Sequence, residues 1–373
     1  MRQILTNARL VSADIANRLG WVEVDGESIT SIGFGTRKGD VDMQGQYVVP
    51  GFIDMHVHGA MGYSFQTEDP DECRAIIDLH RSHGTTTMLG AIGSQPLARM
   101  ERAAATVAEV VREGDLDGIF FEGPFLSERR KGMHDPVNLR LPDVAEVRSL
   151  LSAAGGTARM LGFAPELPGG LDILRTLVDE HVIGAVAHTD ASYREARDAF
   201  DRGAAVATHL FNGMRPIHHR DPGVITAALD DERVVCELVA DGYHLNEAIV
   251  GFVFRHIGAS RVALITDAMA ATGLGDGEYY EGRVVVENGQ AMLADKSSIA
   301  GSTLTMDRAV RRVVQCSGVS LQDAITAASA TPARILGLGR TRGTLSPGAR
   351  ADLVAMSADL TVLRVMRAGA WVR

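Results

Sequence analysis

The segment Val48-Val49-Pro50-Gly51-Phe52-Ile53-Asp54-Met55-His56-Val57-His58-Gly59 places two histidines at i and i+2 behind an apolar run. Alternate side chains of a strand share a face, so His56 and His58 project together and can chelate a metal ion. Taken alone, the pair equally fits two ordinary histidines just past a strand. What favours ligation is that Glu122, His188, His209 and Asp267 also each follow an apolar run of strand length. Four imidazoles and two carboxylates form a nitrogen/oxygen donor set suited to zinc or a neighbouring divalent ion. Such an ion lowers the pKa of a water to roughly 7 and polarises a carbonyl. A carboxylate beside it can carry the proton to a leaving amine, and Asp267 is the candidate for that acid/base role. One ion would use His188 and His209 and a second His56 and His58, with Asp267 nearby and Glu122 bridging. With a single ion, His56 and His58 would pack beside it. Barrel hydrolases with two metals often bridge them with a carboxylated lysine. Here the lysines are Lys38, Lys131 and Lys296, none of them at the end of an apolar strand, which leaves Glu122 for that part.

To meet, these residues must stand on neighbouring strand ends. From Gly51 onward, apolar strands alternate with amphipathic helices, the pattern of a parallel sheet with crossover helices. Strands are expected at 52–56, 85–91, 118–121, 159–163, 183–187, 204–208, 234–238 and 262–266, with helices at 70–83, 97–112, 171–180, 192–201 and 246–256. Eight such strands imply an α/β fold, a (β/α)8 TIM-like barrel whose chemistry collects at the C-terminal strand ends. Residues 273–298 form an insertion with an Asn288-Gly289 hairpin signal, and helices at 303–316 and 321–336 close the barrel. Residues 1–50 read as short β segments, and the tail from Gly343 returns to β texture. The expected organisation is therefore a small discontinuous β-sandwich domain from 1–50 and 338–373, carrying a barrel from 51–337.

At 373 residues, with 46% hydrophobic and 23% charged residues, the composition is that of an ordinary globular protein. A formal net charge of −10 argues against nucleic acid or an anionic membrane as partner, and any anionic substrate must be held by local basic groups. Cys73, Cys236 and Cys316 are far apart and make neither a disulfide framework nor a thiolate metal site, which suits a reducing cytoplasm. No cleavable leader is legible at the N-terminus, and no segment approaches the roughly 20 apolar residues that span a bilayer.

These motifs resemble the amidohydrolase superfamily and, within it, the N-acetylglucosamine-6-phosphate deacetylases. The resemblance runs over nearly the whole chain. It is carried by Pro50-Gly51-Phe52-Ile53-Asp54, Glu122-Gly123-Pro124-Phe125, Lys131-Gly132-Met133-His134, Ala187-His188-Thr189-Asp190-Ala191 and Thr208-His209-Leu210-Phe211-Asn212. Arg220-Asp221-Pro222-Gly223, Ala240-Asp241-Gly242-Tyr243-His244, Thr266-Asp267-Ala268-Met269 and Ile299-Ala300-Gly301-Ser302 continue it. It implies hydrolysis of the N-acetyl group of N-acetylglucosamine 6-phosphate to glucosamine 6-phosphate and acetate, with one or two divalent ions, zinc first, per subunit of a homodimer. It implies Asp267 as catalytic acid/base, His244 near the substrate carbonyl, and Arg220 on the phosphate across the dimer interface. Asn212 and Gly213 would contact the sugar phosphate, and Met133, His134, Ile299, Ala300 and Gly301 would line the pocket. Some members replace the first histidine pair and hold one metal; this chain keeps His56 and His58.

Read from the residues alone, Arg220 sits in a basic cluster with His218 and His219 and suits phosphate oxygens, yet pairing with Asp221 is an equal alternative. The charged stretch 127–132 fits either a solvated loop or a lid over the sugar. Two other functions stay open: a different amide, cyclic or dipeptide, on the same scaffold, and a non-catalytic sugar-phosphate-binding protein.

Overall fold

The computed structural model describes residues 2–372. Eight parallel strands follow one another in chain order: β1 (Phe52–Val57), β2 (Thr85–Gly93), β3 (Gly118–Glu122), β4 (Ala158–Phe163), β5 (Ile183–Val186), β6 (Val206–Ala207), β7 (Val235–Val239) and β8 (Val262–Ile265). The strands are buried along almost their whole length, as both faces of a helix-wrapped parallel sheet require. Met55, Leu89, Phe120, Met160, Val206, Val235, Val239 and Ile265 fill the barrel interior. A larger core, including Phe52, Phe121, Phe163, Leu174 and Phe254, lies between strands and helices.

Several of the helices start where a side chain caps them. Asp69, Asp143 and Asn246 accept from backbone N–H groups of the first turn, and Ser192 with Glu195 forms a reciprocal capping box. Each such cap contributes about 1 kcal/mol.

β1 and β8 do not pair along their length. The seam between them closes at the end of β1 and just past β8, through a bridge between Val57 and Ala268 and the N–H of Asp267 donating to the carbonyl of His56 at 2.9 Å. Below that, the buried Asp54 carboxylate spans the seam, accepting the Thr266 hydroxyl at 2.6 Å and the Thr266 N–H at 3.2 Å. Burial pushes its pKa up to about 7 against these hydrogen bonds.

Both chain ends build one further sheet over a shared core of Leu5, Leu10, Val22, Ile29, Val48 and Leu353. Tyr47–Pro50 pairs with Leu353–Met356, so the expected meeting of N- and C-terminal strands occurs. Several expected elements differ in detail. Residues 3–12 form a single ten-residue strand, with a register shift between Leu5 and Ala8, where short β segments were expected. The two-strand insertion is a three-stranded sheet, Gly277–Tyr279 joining Val284–Glu287 and Gln290–Leu293. The helix at 321–336 breaks at Ser329, whose φ of −143° is not helical. Helices Val144–Ala153 and Gly223–Asp230 were not anticipated, their apolar periodicity being short. Strand β6 is shorter than expected, covering only Val206–Ala207, and His209, with φ of 31°, turns the backbone just after it.

Candidate metal centre and active site

His188, His209 and Asp267 follow β5, β6 and β8, and all three have positive φ (43°, 31° and 51°). Left-handed backbone at non-glycine residues is uncommon and concentrates where surrounding structure holds functional side chains in place. Here it turns each side chain over the barrel mouth. Glu122 ends β3, and His56 lies within β1 with His58 just beyond it.

The histidines converge on Glu122. Its Oε1 lies 3.0 Å from His209 Nε2, 3.3 Å from His188 Nε2 and 3.6 Å from His56 Nε2. Its Oε2 lies 3.1 Å from His58 Nε2 and 3.3 Å from His134 Nε2. Burial works against its charge, but the surrounding imidazoles, His56 and His134 foremost, hold its carboxyl well below the usual range.

Two of the rings are fixed from behind. The Nδ1–H of His188 donates to the carbonyl of Arg130 at 2.7 Å, and the Nδ1–H of His209 to the carbonyl of Asn212 at 3.1 Å. With Nδ1 protonated, each Nε2 presents a lone pair to a carboxylate that also has only lone pairs to offer. A cation between them resolves that clash. The donor atoms of His56, His58 and Glu122, and those of Glu122, His134 and His188, lie within 4.8 Å of one another. The residues therefore fit a divalent metal, with Glu122 common to both sets.

Asp267 divides its oxygens. Oδ1 lies 3.5 Å and 3.4 Å from the Nε2 atoms of His56 and His58, whereas Oδ2 faces His244 Nε2 at 3.7 Å. His244 is held by Asp241, which accepts its Nδ1–H at 2.7 Å and its backbone N–H at 2.8 Å. Burial opposes the imidazolium, but the Asp241 hydrogen bond and charge, with Asp267, raise the His244 pKa above the usual value.

These groups floor a cavity of about 440 Å³. His58, Glu122, His134, His188, His209, Asp267 and His244 line it, as do Met133, Asn212, Gly213, Ile299 and Gly301. His56 lies beneath, fully buried. Ala300 is also buried and packs in a small core with Met269, Val284 and Ala291. Arg220 is exposed, lies outside the cavity of its own chain, and contacts His219 Nε2 at 2.7 Å. Asp221 pairs with Arg215 at 2.7 Å. The stretch 127–132 supplies the carbonyl that orients His188, and its Arg130 pairs with Asp190 at 2.7 Å.

Sequence reasoning gave His134 only a substrate-facing place, whereas its Nε2 also reaches Glu122. It passed over Asp241, and it passed over Tyr280, Arg99 and Arg283, which line the cavity from a helix start and from the insertion. Asp241 sits one turn before His244, a spacing that could have been read as a carboxylate–imidazole pair. Neither Arg99 nor Arg283 stands directly behind a barrel strand, and neither carries such a signal.

The chain matches the Amidohydrolase family model over residues 47–372. It is 35% identical over 325 residues to an N-acetylgalactosamine-6-phosphate deacetylase of Escherichia coli O157:H7, covering 86% of each chain. It is also 35% identical over 320 residues to an N-acetylglucosamine-6-phosphate deacetylase of Vibrio furnissii, covering 84% of this chain and 80% of that one. A solved structure from Mycobacterium smegmatis superposes with a TM-score of 0.96 at 41% identity, covering 100% of this chain and 99% of the other. That structure is a mutant N-acetyl-D-glucosamine-6-phosphate deacetylase in complex with N-acetyl-D-glucosamine-6-phosphate. Because these likenesses extend from the terminal sheet through the whole barrel, the chain belongs to the amidohydrolase family.

Proposed function

We propose that this chain hydrolyses the N-acetyl group of N-acetylglucosamine 6-phosphate, giving glucosamine 6-phosphate and acetate. The observation that carries this reading is the convergence of five imidazoles on Glu122 beneath a cavity, with Asp267 between them and His244. The relatives bearing the two deacetylase names above support the substrate class.

Glu122, His188 and His209 would hold one divalent ion, and His56 and His58, with Glu122 shared, a second; zinc suits this nitrogen/oxygen set. When bound, the metal supplies a nucleophilic water near neutral pH and polarises the amide carbonyl. Asp267 takes the proton of the attacking water at the oxygen away from the histidine pair and returns it to the departing amine. His244, kept in one orientation by Asp241 and protonated on both ring nitrogens, donates from Nε2 to the substrate carbonyl oxygen, where negative charge grows. The C–N bond breaks as the amine accepts that proton, and acetate leaves with the water's oxygen.

The phosphate needs local cations in a chain of net charge −10. Arg220, outside its own cavity, would serve the cavity of a second copy in a homodimer. Three free cysteines, two of them buried, accord with a cytoplasmic setting. Among the described residues no helix is long and apolar enough to cross a membrane.

The Escherichia coli relative, at equal identity, makes the galactosamine epimer the second candidate substrate. Acetate release should be followed from both 6-phosphates, from unphosphorylated N-acetylglucosamine and from a cyclic amide. Turnover confined to the 6-phosphates supports the reading, and the faster epimer names the substrate. Turnover of the cyclic amide alone overturns it.

A further inference from the structure

Glu237 lies in the middle of β7 with Val235 and Val239, two residues to either side, both in the apolar interior of the barrel. It is fully buried. A carboxylate in such surroundings is unfavourable unless it is paired, and Glu237 is only half provided for. Its Oε2 accepts the N–H of His209 at 3.4 Å, and its Oε1 has no hydrogen-bond partner. The group it faces is His56, whose Nδ1 lies 3.5 Å from Oε2 and is likewise without a partner. The edge-on ring of Phe120, centred 4.7 Å away, packs against the same imidazole.

The other rings around Glu122 show what this arrangement accomplishes. His188 and His209 give their Nδ1 protons to backbone carbonyls, and each directs Nε2 at the carboxylate. No backbone carbonyl accepts from His56 Nδ1 among the described residues. A carboxylate behind a ligating histidine fixes its tautomer, orients its ring and raises its basicity.

We propose that Glu237 is a positioning residue for the His56–His58 metal site: it receives the Nδ1 proton of His56 and so commits Nε2 to the cation. In the site of Glu122, His188 and His209 both rings are held by backbone carbonyls, and Glu237 touches that site only through the backbone N–H of His209. Glu237 thereby decides whether the chain holds a second ion. This inference rests on the metal reading above.

The test strips the purified protein of metal and titrates Zn²⁺ back in competition with a chromophoric chelator, for the wild type, E237Q and E237L. Co²⁺ spectra of the same proteins report the ligand field. The expected result is two ions per wild-type chain. In E237L the second ion should be weakened about 10- to 100-fold, as loss of such an outer partner typically does, with the first unchanged. E237Q keeps the volume and should show a smaller loss of the same ion at an unaltered melting temperature, which carries the test if E237L does not fold. Two ions at wild-type affinity in E237Q, with an unaltered Co²⁺ spectrum, overturn the inference alone. A wild type that binds fewer than two ions overturns it together with the two-ion reading.

Discussion

The Nε2 atoms of His56 and His58 lie 3.0 Å apart, and both face the carboxylates of Glu122 and Asp267. Two imidazole lone pairs at that distance repel unless a proton or a metal ion lies between them. Burial opposes protonation of His56, but the charges of Asp267 and Glu122 raise its pKa well above the usual value, so the pocket favours positive charge there. The pair is built for a cation.

Replacing Glu122 with Gln leaves the rings in place and removes the charge they share. Metal content should fall below one ion per chain, and kcat/KM should drop by at least ~10²-fold. Elemental analysis of the purified variant, together with its acetate-release rate, checks this. Full metal content in Glu122→Gln would remove Glu122 from the ligand set.

Asp267→Asn keeps the shape of the side chain and its place across from His244. It should lower kcat by roughly 10²–10⁴-fold while substrate still binds. Turnover and calorimetric titration with the sugar phosphate separate the two effects. Wild-type turnover would take Asp267 out of the proton path.

Gly213 has φ of 59°, and a Cβ there would come within 2.6 Å of His188 Nδ1. Gly213→Ala must therefore strain the backbone or push His188 off its bond to Arg130. We expect a loss of about 1–3 kcal/mol of stability and weaker binding of the ion at His188 and His209. Thermal melting and metal titration together test this, and an unchanged melting temperature with full metal affinity would contradict it.

His80 is fully buried, with Nε2–H donating to the Gly59 carbonyl at 3.2 Å and Nδ1 unpartnered. Burial, aided by nearby His83, brings its pKa down to about 4 despite that hydrogen bond. The folded protein thus prefers the neutral ring, and its contribution is complete above the unfolded value near 6.5. As pH falls from about 6.5 to 4 the unfolded chain takes up the proton first, costing ~3 kcal/mol of stability. Denaturant unfolding across this range should show a shallower decline for His80→Gln than for the wild type. Parallel declines would show that His80 does not titrate as described.

The site was legible in the sequence wherever a ligand type stood directly behind an apolar run, as with His58, Glu122, His188, His209 and Asp267. Barrel geometry sends strand ends to one rim, so position in sequence becomes position in space. The supports were not legible. Glu237 lies within a strand, where alternation leaves open which face it takes, and only barrel closure turns it toward His56. The carbonyl of Arg130 behind His188 has no side-chain signature at all. Arg283 reaches the cavity because the insertion folds as three strands over the mouth, a tertiary fact that its hairpin signal did not contain.

The central claim is metal-dependent deacetylation of an amino-sugar 6-phosphate. Its most direct test is acetate release from N-acetylglucosamine 6-phosphate by the purified protein, measured as isolated, after exhaustive chelation and after Zn²⁺ is restored. We predict turnover that is lost on chelation and recovered with metal. Undiminished turnover by the metal-free protein would contradict the account.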